Sequence, residues 1–461
     1  MWLLREKFDS LLNFLRKLFF VPIDIVYAFF LFVFIFFWML SRKKYPLTNS
    51  NSLLFLDTSY SLKQIYDREL EYALSARDCD GLFDRVWSIH PLVGADQNID
   101  IDESMQFTSI SDMHKFVEVS VSNVSKESYF ACTNFLRSQF GFFKYIYDLI
   151  GEGEVRAIRV GDPIYLGLVG VWVSYIAGCP FIIRINGNYD LLYETTKLPA
   201  FPRLIRSIYL EKKIIDWVLP KADLIITPSD DNRDYVLGKG VDPENVKVVG
   251  YGSLLNPLHY EDPALRKGVR DELGVGGRPL VASVTRLEPS KKVEQILQAL
   301  VHIAEIKPEI VCVIAGDGSL KMNLLEKAEE KGLRSNLILV GNKSQTWLGS
   351  LLADSDVLVF PLAGRALVEA ALSGTPIVAC DTEWHHELID ANKSGVLVEV
   401  DNPKAMAKSV IDLLDDREKA MYLAENLRQK VLSDFVTKDL IRLERSFVSN
   451  LLDRSKTIEN G

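Results

Sequence analysis

One pattern occurs twice along this chain, and it restricts the chain to a narrow set of folds. Short, almost wholly apolar runs alternate with stretches of helical periodicity, first over about residues 50–255 and again over about 270–430. In the first pass SLLFLDTS (52–59) reads as a buried strand that ends in polar loop residues. The helical stripe LKQIYDRELEYALSA follows, and RAIRV, LGLVGVWVSYIAG, PFIIRINGN, ADLIITPSD and VKVVGYG continue the alternation. PLVASVTRL then restarts it, followed by KVEQILQALVHIAEI, VCVIAGDGS, LKMNLLEKAEEKG, NLILVG, DVLVFP, RALVEAALSG and TPIVACD. Strands apolar on both faces belong to parallel sheets covered by helices on both sides. The Pro-, Gly- and charge-containing stretch 257–275 suits a hinge between the two passes. The expectation is an α/β chain of two Rossmann-like domains facing a cleft, with ligands bound at the carboxyl ends of the strands. A chain of 461 residues is long enough for two such cores. The amphipathic stretch 431–455 reads as a C-terminal helix that can pack back on the N-terminal domain.

The first 44 residues do not fit this scheme. Ile25 to Leu40 is a run of sixteen apolar residues, and extended back to Leu18 it covers 23 with one charge, Asp24, and one proline, Pro22. About 20 such residues cross a bilayer, so length favours a single membrane span. Pro22 leaves a re-entrant hairpin or an interface helix open. A cleaved signal peptide fits poorly, because Trp38, Met39 and Arg42 occupy the cleavage region, and a helix buried in a soluble core fits poorly too. Upstream, Leu4, Phe8, Leu11, Leu12, Leu15 and Phe19 recur at helical spacing beside Arg5, Lys7, Arg16 and Lys17, which suits anionic headgroups. Residues 1–50 carry seven Lys/Arg against three acids within a chain of net charge −9. The remainder is therefore acidic and has no general affinity for nucleic acid.

Five scattered cysteines without a CxxC pair point to free thiols in a reducing compartment, here the cytoplasmic face. No GxSxG or HExxH motif supports a hydrolase. The DSD triplet at 354–356 precedes a strand and is read as structural, so no metal and no cofactor are implied.

The sharper signal lies in residues 280–400. SVTRLEPSKKVEQIL, AGDGSLKMNLL, ADSDVLVFP and GRALVEAALSGTPIVACDTEWHHELI resemble, in order and spacing, the donor-binding half of the GT-B retaining glycosyltransferases of group 1. The resemblance weakens over 180–255 and further over 50–180. It implies that Arg286 and Lys291 hold a nucleotide diphosphate, since transfer releases a dianion that must be stabilised away from water. Lys292 stands where the family pattern has glycine. Gly316 and Gly318 match the family's glycine-rich turn. Gly364, Arg365, Ala366 and Leu367 match a helix start whose N–H groups receive phosphate or sugar, and Glu369 matches the glutamate that bonds the ribose.

The sequence also departs from that pattern. Pro361 stands eight residues before Glu369, where a sugar-positioning glutamate is usual, and Arg365 is a candidate replacement. Tyr189 stands where histidine is common, followed by the matching Asp190, with Asn186 and Asn188 close by. No GG pair follows the first strand. Ser229 matches a cleft-lining serine, and Glu387 is a further candidate carboxylate, as are Asp230 and Asp231. The resemblance implies a membrane-associated retaining glycosyltransferase. Its partners would be a UDP- or GDP-linked sugar, a lipid-linked or glycan acceptor, and membrane lipid. The alternative is a non-catalytic nucleotide-sugar-binding or scaffold subunit; an epimerase on a similar fold fits the tandem motifs less well.

Overall fold

The computed structural model describes residues 23, 25–42, 45, 50–94, 104–121, 131–201, 204–251, 255–266, 268–434 and 437–459. The basic stretch before Ile23, Pro22, Asp24 and the Lys43–Lys44 pair lie outside the described residues.

Two sheets carry the molecule. The N-terminal strands are β1 (Ser52–Leu56), β2 (Arg85–Val93), β3 (Met105–Ser111), β4 (His114–Ser120), β5 (Ala157–Val160), β6 (Phe181–Arg184), β7 (Leu224–Thr227) and β8 (Val246–Val248). They form one sheet in the order β3-β4-β2-β1-β5-β6-β7-β8, parallel except for the β3–β4 hairpin. The C-terminal strands are β9 (Leu280–Val284), β10 (Val311–Ala315), β11 (Leu337–Gly341), β12 (Val357–Phe360), β13 (Ile377–Cys380) and β14 (Val396–Val398). Their order, β11-β10-β9-β12-β13-β14, is all parallel. Counted within the domain this is the 3-2-1-4-5-6 order of a Rossmann sheet, whose switch point lies between β9 and β12. Every residue of β5, β6, β7, β10, β12 and β13 is buried, as the apolar runs of β10, β12 and β13 predict; β5 and β6 bury an arginine each, Arg159 and Arg184.

Among the described residues, three of the connections across the cleft show how the two sheets are set relative to each other. Glu69 accepts hydrogen bonds from the Thr346 amide and hydroxyl at 2.8 and 2.6 Å, and the Gln345 amide donates to the Arg68 carbonyl. Glu387 accepts from the amides of Asp230 and Asp231 at 3.0 and 2.8 Å, at the start of the Asp230–Leu237 helix. The third is the Thr437–Glu459 helix, which returns to the N-terminal sheet and packs Val448 and Leu452 against Leu53, Ala157, Ile182 and Ile226. There Glu444 pairs with two buried arginines, Arg159 of β5 at 2.5 Å and Arg184 of β6 at 3.1 Å.

Among the described residues no helix is long and apolar enough to cross a membrane; residues 18–22 and 24 of the apolar run lie outside them. Residues 25–40 form a described stretch of helix. One stripe of it, Ala28, Leu31, Ile35, Trp38 and Met39, is turned inward, and most of that stripe joins the N-terminal core. Trp38 meets the rings of Phe140 and Tyr147 at 5.3 and 5.7 Å, and Arg42 lies 4.5 Å over the Trp38 ring. The opposite side presents Ile25, Val26, Phe29, Phe30, Phe32, Phe36, Phe37 and Leu40, all exposed. Periodicity within a run apolar all round gives no clue to which stripe docks on protein, so the sequence could not reveal this.

Candidate active site

The C-terminal switch point gathers the motif residues. β9 ends at Val284, and the chain turns through Arg286 and Leu287 into a short turn, Pro289–Lys291. β12 ends at Phe360 and leads through Pro361 and Gly364 into the Arg365–Leu372 helix. Arg286 is exposed toward the cleft, and Lys291 is half-buried beside it. Burial brings the Lys291 ammonium down to about 8; the Arg286 charge pushes the same way, and Glu383 opposes. Lys292 has φ 50°, so the backbone keeps the left-handed turn a glycine would supply, and the side chain pairs with Asp401 at 2.9 Å.

Gly316 and Gly318 hold the adjacent loop against this turn. A Cβ on Gly316, at φ 144°, would lie 1.9 Å from the Thr285 carbonyl oxygen, and one on Gly318 2.5 Å from that of Leu287. No side chain larger than hydrogen fits either position without pushing the Arg286 loop outward.

The Arg365–Leu372 helix starts at Gly364 with no side-chain cap, so its first N–H groups are not taken by a capping side chain. Gly364, Arg365 and Ala366 are half-buried at this start, whereas Leu367 packs inward and its amide is held by the Gly364 carbonyl. Two aromatic residues fix the preceding loop. Trp384 donates its indole N–H to the Ala363 carbonyl at 3.0 Å, and its ring lies 4.8 Å from that of Tyr251. His385 accepts from the Ala363 amide at 3.0 Å through Nε2, which leaves Nδ1–H to donate to the Cys380 carbonyl at 2.8 Å. Burial lowers its pKa, in keeping with a neutral ring in this role.

Arg365 and Glu369 are not two separate ligand-reading groups. Arg365 Nε lies 2.9 Å from Glu369 Oε1 one helical turn on, and Glu369 is only 3% exposed. Arg365, the candidate replacement for the sugar-positioning acid, is thus tied to Glu369, the candidate ribose ligand. Burial works against the Arg365 charge, but Glu369 and the hydroxyls of Tyr72 and Tyr60 hold its pKa above the usual range. Tyr60 and Tyr72 come from the N-terminal domain and approach the pair across the cleft. They had no motif to reveal them.

On the N-terminal side, residues Tyr189–Thr196 form a helix that packs against the Pro289–Lys291 turn and brings the second domain to the cations. Asn188 is its N-cap and accepts from the amides of Asp190 and Leu191. Asn186 is exposed, and its carbonyl accepts from the Tyr251 hydroxyl at 3.2 Å. Tyr189 packs on the core with its ring 6.4 Å from that of Tyr235. Asp190 is held by Lys239 at 2.6 Å and Lys212 at 3.2 Å. Burial alone would raise the Asp190 carboxyl; the two ammonium groups hold it below its ordinary value. Asp190, which the family resemblance sets with Tyr189 among the catalytic candidates, is thus an engaged carboxylate and not a free base. Ser229 caps the Asp230–Leu237 helix, and Glu387 clamps that helix instead of lining the site. Asp354 caps the Val269–Glu272 helix through the amides of Gly268 and Val269.

The N-terminal sheet has its own switch point between β1 and β5, where Asp57, His90 and Asp162 converge. Asp162 Oδ1 accepts from the amides of Ile164 and Leu166, while its buried Oδ2 has no partner among the described residues. Burial pushes this carboxyl up to about 7, and Asp57 adds to the shift.

The comparisons with known proteins agree with this geometry. Residues 267–430 match the family model described as Glycosyl transferases group 1. The match takes in the C-terminal sheet and the helices around it, and the two-sheet architecture is GT-B-like. Among solved structures, Anabaena HepE in complex with UDP-glucose aligns with a TM-score of 0.64 at 18% identity, covering 87% of this chain and 99% of that one. Sucrose-phosphate synthase from Thermosynechococcus elongatus aligns with a TM-score of 0.68 at 16% identity, covering 88% and 100%. Among curated proteins, the alpha-D-kanosaminyltransferase of Streptomyces kanamyceticus is 27% identical over 261 residues, 55% of this chain and 66% of that relative. The alpha-monoglucosyldiacylglycerol synthase of Streptococcus pneumoniae is 24% identical over 299 residues, 63% and 66%. The chain thus spans just under two thirds of the length of these curated relatives.

Proposed function

We propose that this protein is a membrane-associated retaining glycosyltransferase that moves a sugar from a UDP- or GDP-linked donor to a lipid-linked or glycan acceptor. The observation that carries the reading is the pairing of Arg286 and Lys291 beside an uncapped helix start, at the switch point of a group 1 domain. That arrangement is chemically suited to a diphosphate leaving group: two cations and free amides stabilise negative charge that grows as the glycosidic bond breaks. With retention by front-face attack, the departing diphosphate itself helps take the proton of the acceptor hydroxyl. No protein nucleophile is then needed, which suits a cleft where Asp190 is already held by two lysines. Relatives named as a kanosaminyltransferase and a glycolipid synthase support glycosyl transfer, and the UDP-glucose complex of a structural neighbour supports the donor class.

The deciding experiment incubates purified full-length protein with UDP-glucose, UDP-galactose, UDP-N-acetylglucosamine and GDP-mannose in the presence of membrane lipid extract. Release of nucleotide diphosphate with at least one donor is expected. Donor binding without release would favour the scaffold reading, which the structural engagement of Asp190 keeps in view. Binding of none would remove both.

The membrane part of the proposal rests on the residue 25–40 helix, whose docked stripe leaves a phenylalanine-rich face uncovered. Such a face suits partial insertion at the lipid surface, with Arg42 and Trp38 at headgroup level. Removing the whole helix would also uncover Phe140 and Trp172, so the cleaner test changes its outer face alone. Replacing Phe29, Phe36 and Phe37 together by asparagine is expected to lower sedimentation with anionic vesicles by at least roughly tenfold, given a few kcal/mol per buried aromatic ring. Nucleotide binding should be unchanged. Undiminished vesicle binding would refute the assignment of this face.

A further inference from the structure

The loop after β13 leads from the C-terminal sheet toward the N-terminal domain, and its backbone is strained at one residue. Glu383 has φ 46°, the left-handed region that favours glycine. The next residues are fixed firmly enough to hold it there, since Trp384 and His385 are both buried and both bonded to Ala363. Glycine would meet the turn without strain, so the turn alone gives no reason for a glutamate. Strained residues over-determined by their surroundings cluster at ligand sites.

The side chain is also unusual. Among the described residues no hydrogen bond or ion pair engages the half-buried Glu383 carboxylate. The charges that act on it are Lys291 of the C-terminal domain and Asp231 of the N-terminal domain, and it in turn acts on Tyr251 between the two. Its loop reaches the opposite domain: the neighbouring Trp384 ring lies 4.8 Å from that of Tyr251, and Glu387, four residues on, accepts from the amides of Asp230 and Asp231. Burial raises its pKa and Lys291 opposes this.

Resting on the function proposed above, we infer that Glu383 reads the hydroxyls of the donor sugar. The transferred sugar hangs from the distal phosphate and must meet an acceptor presented across the cleft. It has to lie between Lys291 and the N-terminal domain, toward which the loop of this carboxylate reaches. A carboxylate accepts two hydroxyl hydrogen bonds at once and so distinguishes sugars that differ in the orientation of one hydroxyl. The role of sugar-reading acid, absent at Pro361, is then filled from the next strand end.

The test compares full-length wild type with Glu383→Gln, Glu383→Gly and Glu369→Gln by titration calorimetry, using UDP, GDP, UDP-glucose, UDP-galactose and GDP-mannose. Glu383→Gly removes the backbone strain, so its thermal midpoint should match or exceed that of wild type. Both Glu383 variants should bind the free nucleotide diphosphate as wild type does. They should bind the preferred nucleotide sugar roughly ten- to a hundredfold more weakly, the range for losing charged hydrogen bonds, and lose discrimination between the glucose and galactose donors. Glu369→Gln should weaken free nucleotide and nucleotide sugar alike. Equal weakening of both ligands in the Glu383 variants would make Glu383 a charge partner of Lys291 and overturn the inference, as would no change in either. Wild type that binds none of the five ligands would overturn the proposed function itself, and this inference with it.

Discussion

Alanine in place of Lys291, or of Arg286, should lower kcat/KM for glycosyl transfer by roughly 10²–10³, the usual cost of removing one group aimed at charge that develops in the transition state. Both side chains leave a turn at the switch point, one exposed and one half-buried, so neither substitution opens a core cavity and folding should survive. Because the two cations act on one diphosphate, the double variant should lose less than the product of the single losses. Lys291 also predicts a pH dependence. In the empty site its ammonium loses its proton at about 8, the result of burial and the neighbouring Arg286 charge against the opposing Glu383. Only the charged form helps the leaving group, so kcat/KM should fall as pH rises above about 8. Lys291→Arg should recover part of the activity and remove that alkaline limb, since a guanidinium does not titrate there. Single variants with kcat/KM equal to wild type would refute the diphosphate assignment.

These residues were legible because their signal is local. Arg286, Gly316, Gly318 and Lys291 lie at strand ends or in the turns that follow, and the short-range demands of those turns are written in the sequence. Lys292 shows that the turn outlasts the glycine, since the backbone still takes φ 50° there. The apolar runs of β10, β12 and β13 were legible for a similar reason: burial on both faces leaves no polar position to obscure the strand.

What the sequence concealed depends on which elements meet. Asp190 reads as a free acid until the fold brings Lys212 and Lys239 beside it from other helices. Arg365 and Glu369 are four apart in a helix, a spacing at which opposite charges meet, yet motif reasoning gave them separate ligands. Tyr60 and Tyr72 precede the pair by nearly three hundred residues and reach it only because the domains close there. Glu387, Glu69 and Thr346 hold that closure with hydrogen bonds that no periodicity announces.

The C-terminal helix makes another such contact, and breaking its buried ion pairs should be strongly destabilising. Glu444 is 9% exposed at its side chain and faces Arg159 at 2.5 Å and Arg184 at 3.1 Å, each 5% exposed. Burial works against the Glu444 charge, and the two guanidiniums overcome it and hold its carboxyl below the ordinary 4.5. Glu444→Ala would take away the carboxylate that two buried guanidiniums share, a change that costs about 3–5 kcal/mol. Urea unfolding followed through the N-terminal domain should register that loss, with Glu444→Gln intermediate because it keeps the shape and an acceptor oxygen. The sign with pH follows from the lowered pKa: the contribution is complete above the unfolded value of 4.5 and disappears as pH falls through the lower native one. Wild type should therefore lose its advantage over Glu444→Gln in acid, and a gap that stays constant down to pH 3 would show that charge is not its source. Function should suffer as well. Arg184 also donates to the Asn186 side chain at 3.3 Å and the Val249 carbonyl at 3.3 Å, so it ties the cleft loop and the chain leaving β8 to the same carboxylate. An arginine released from Glu444 no longer holds either in place, and donor binding should weaken in Glu444→Ala even at urea concentrations where the domain is still folded.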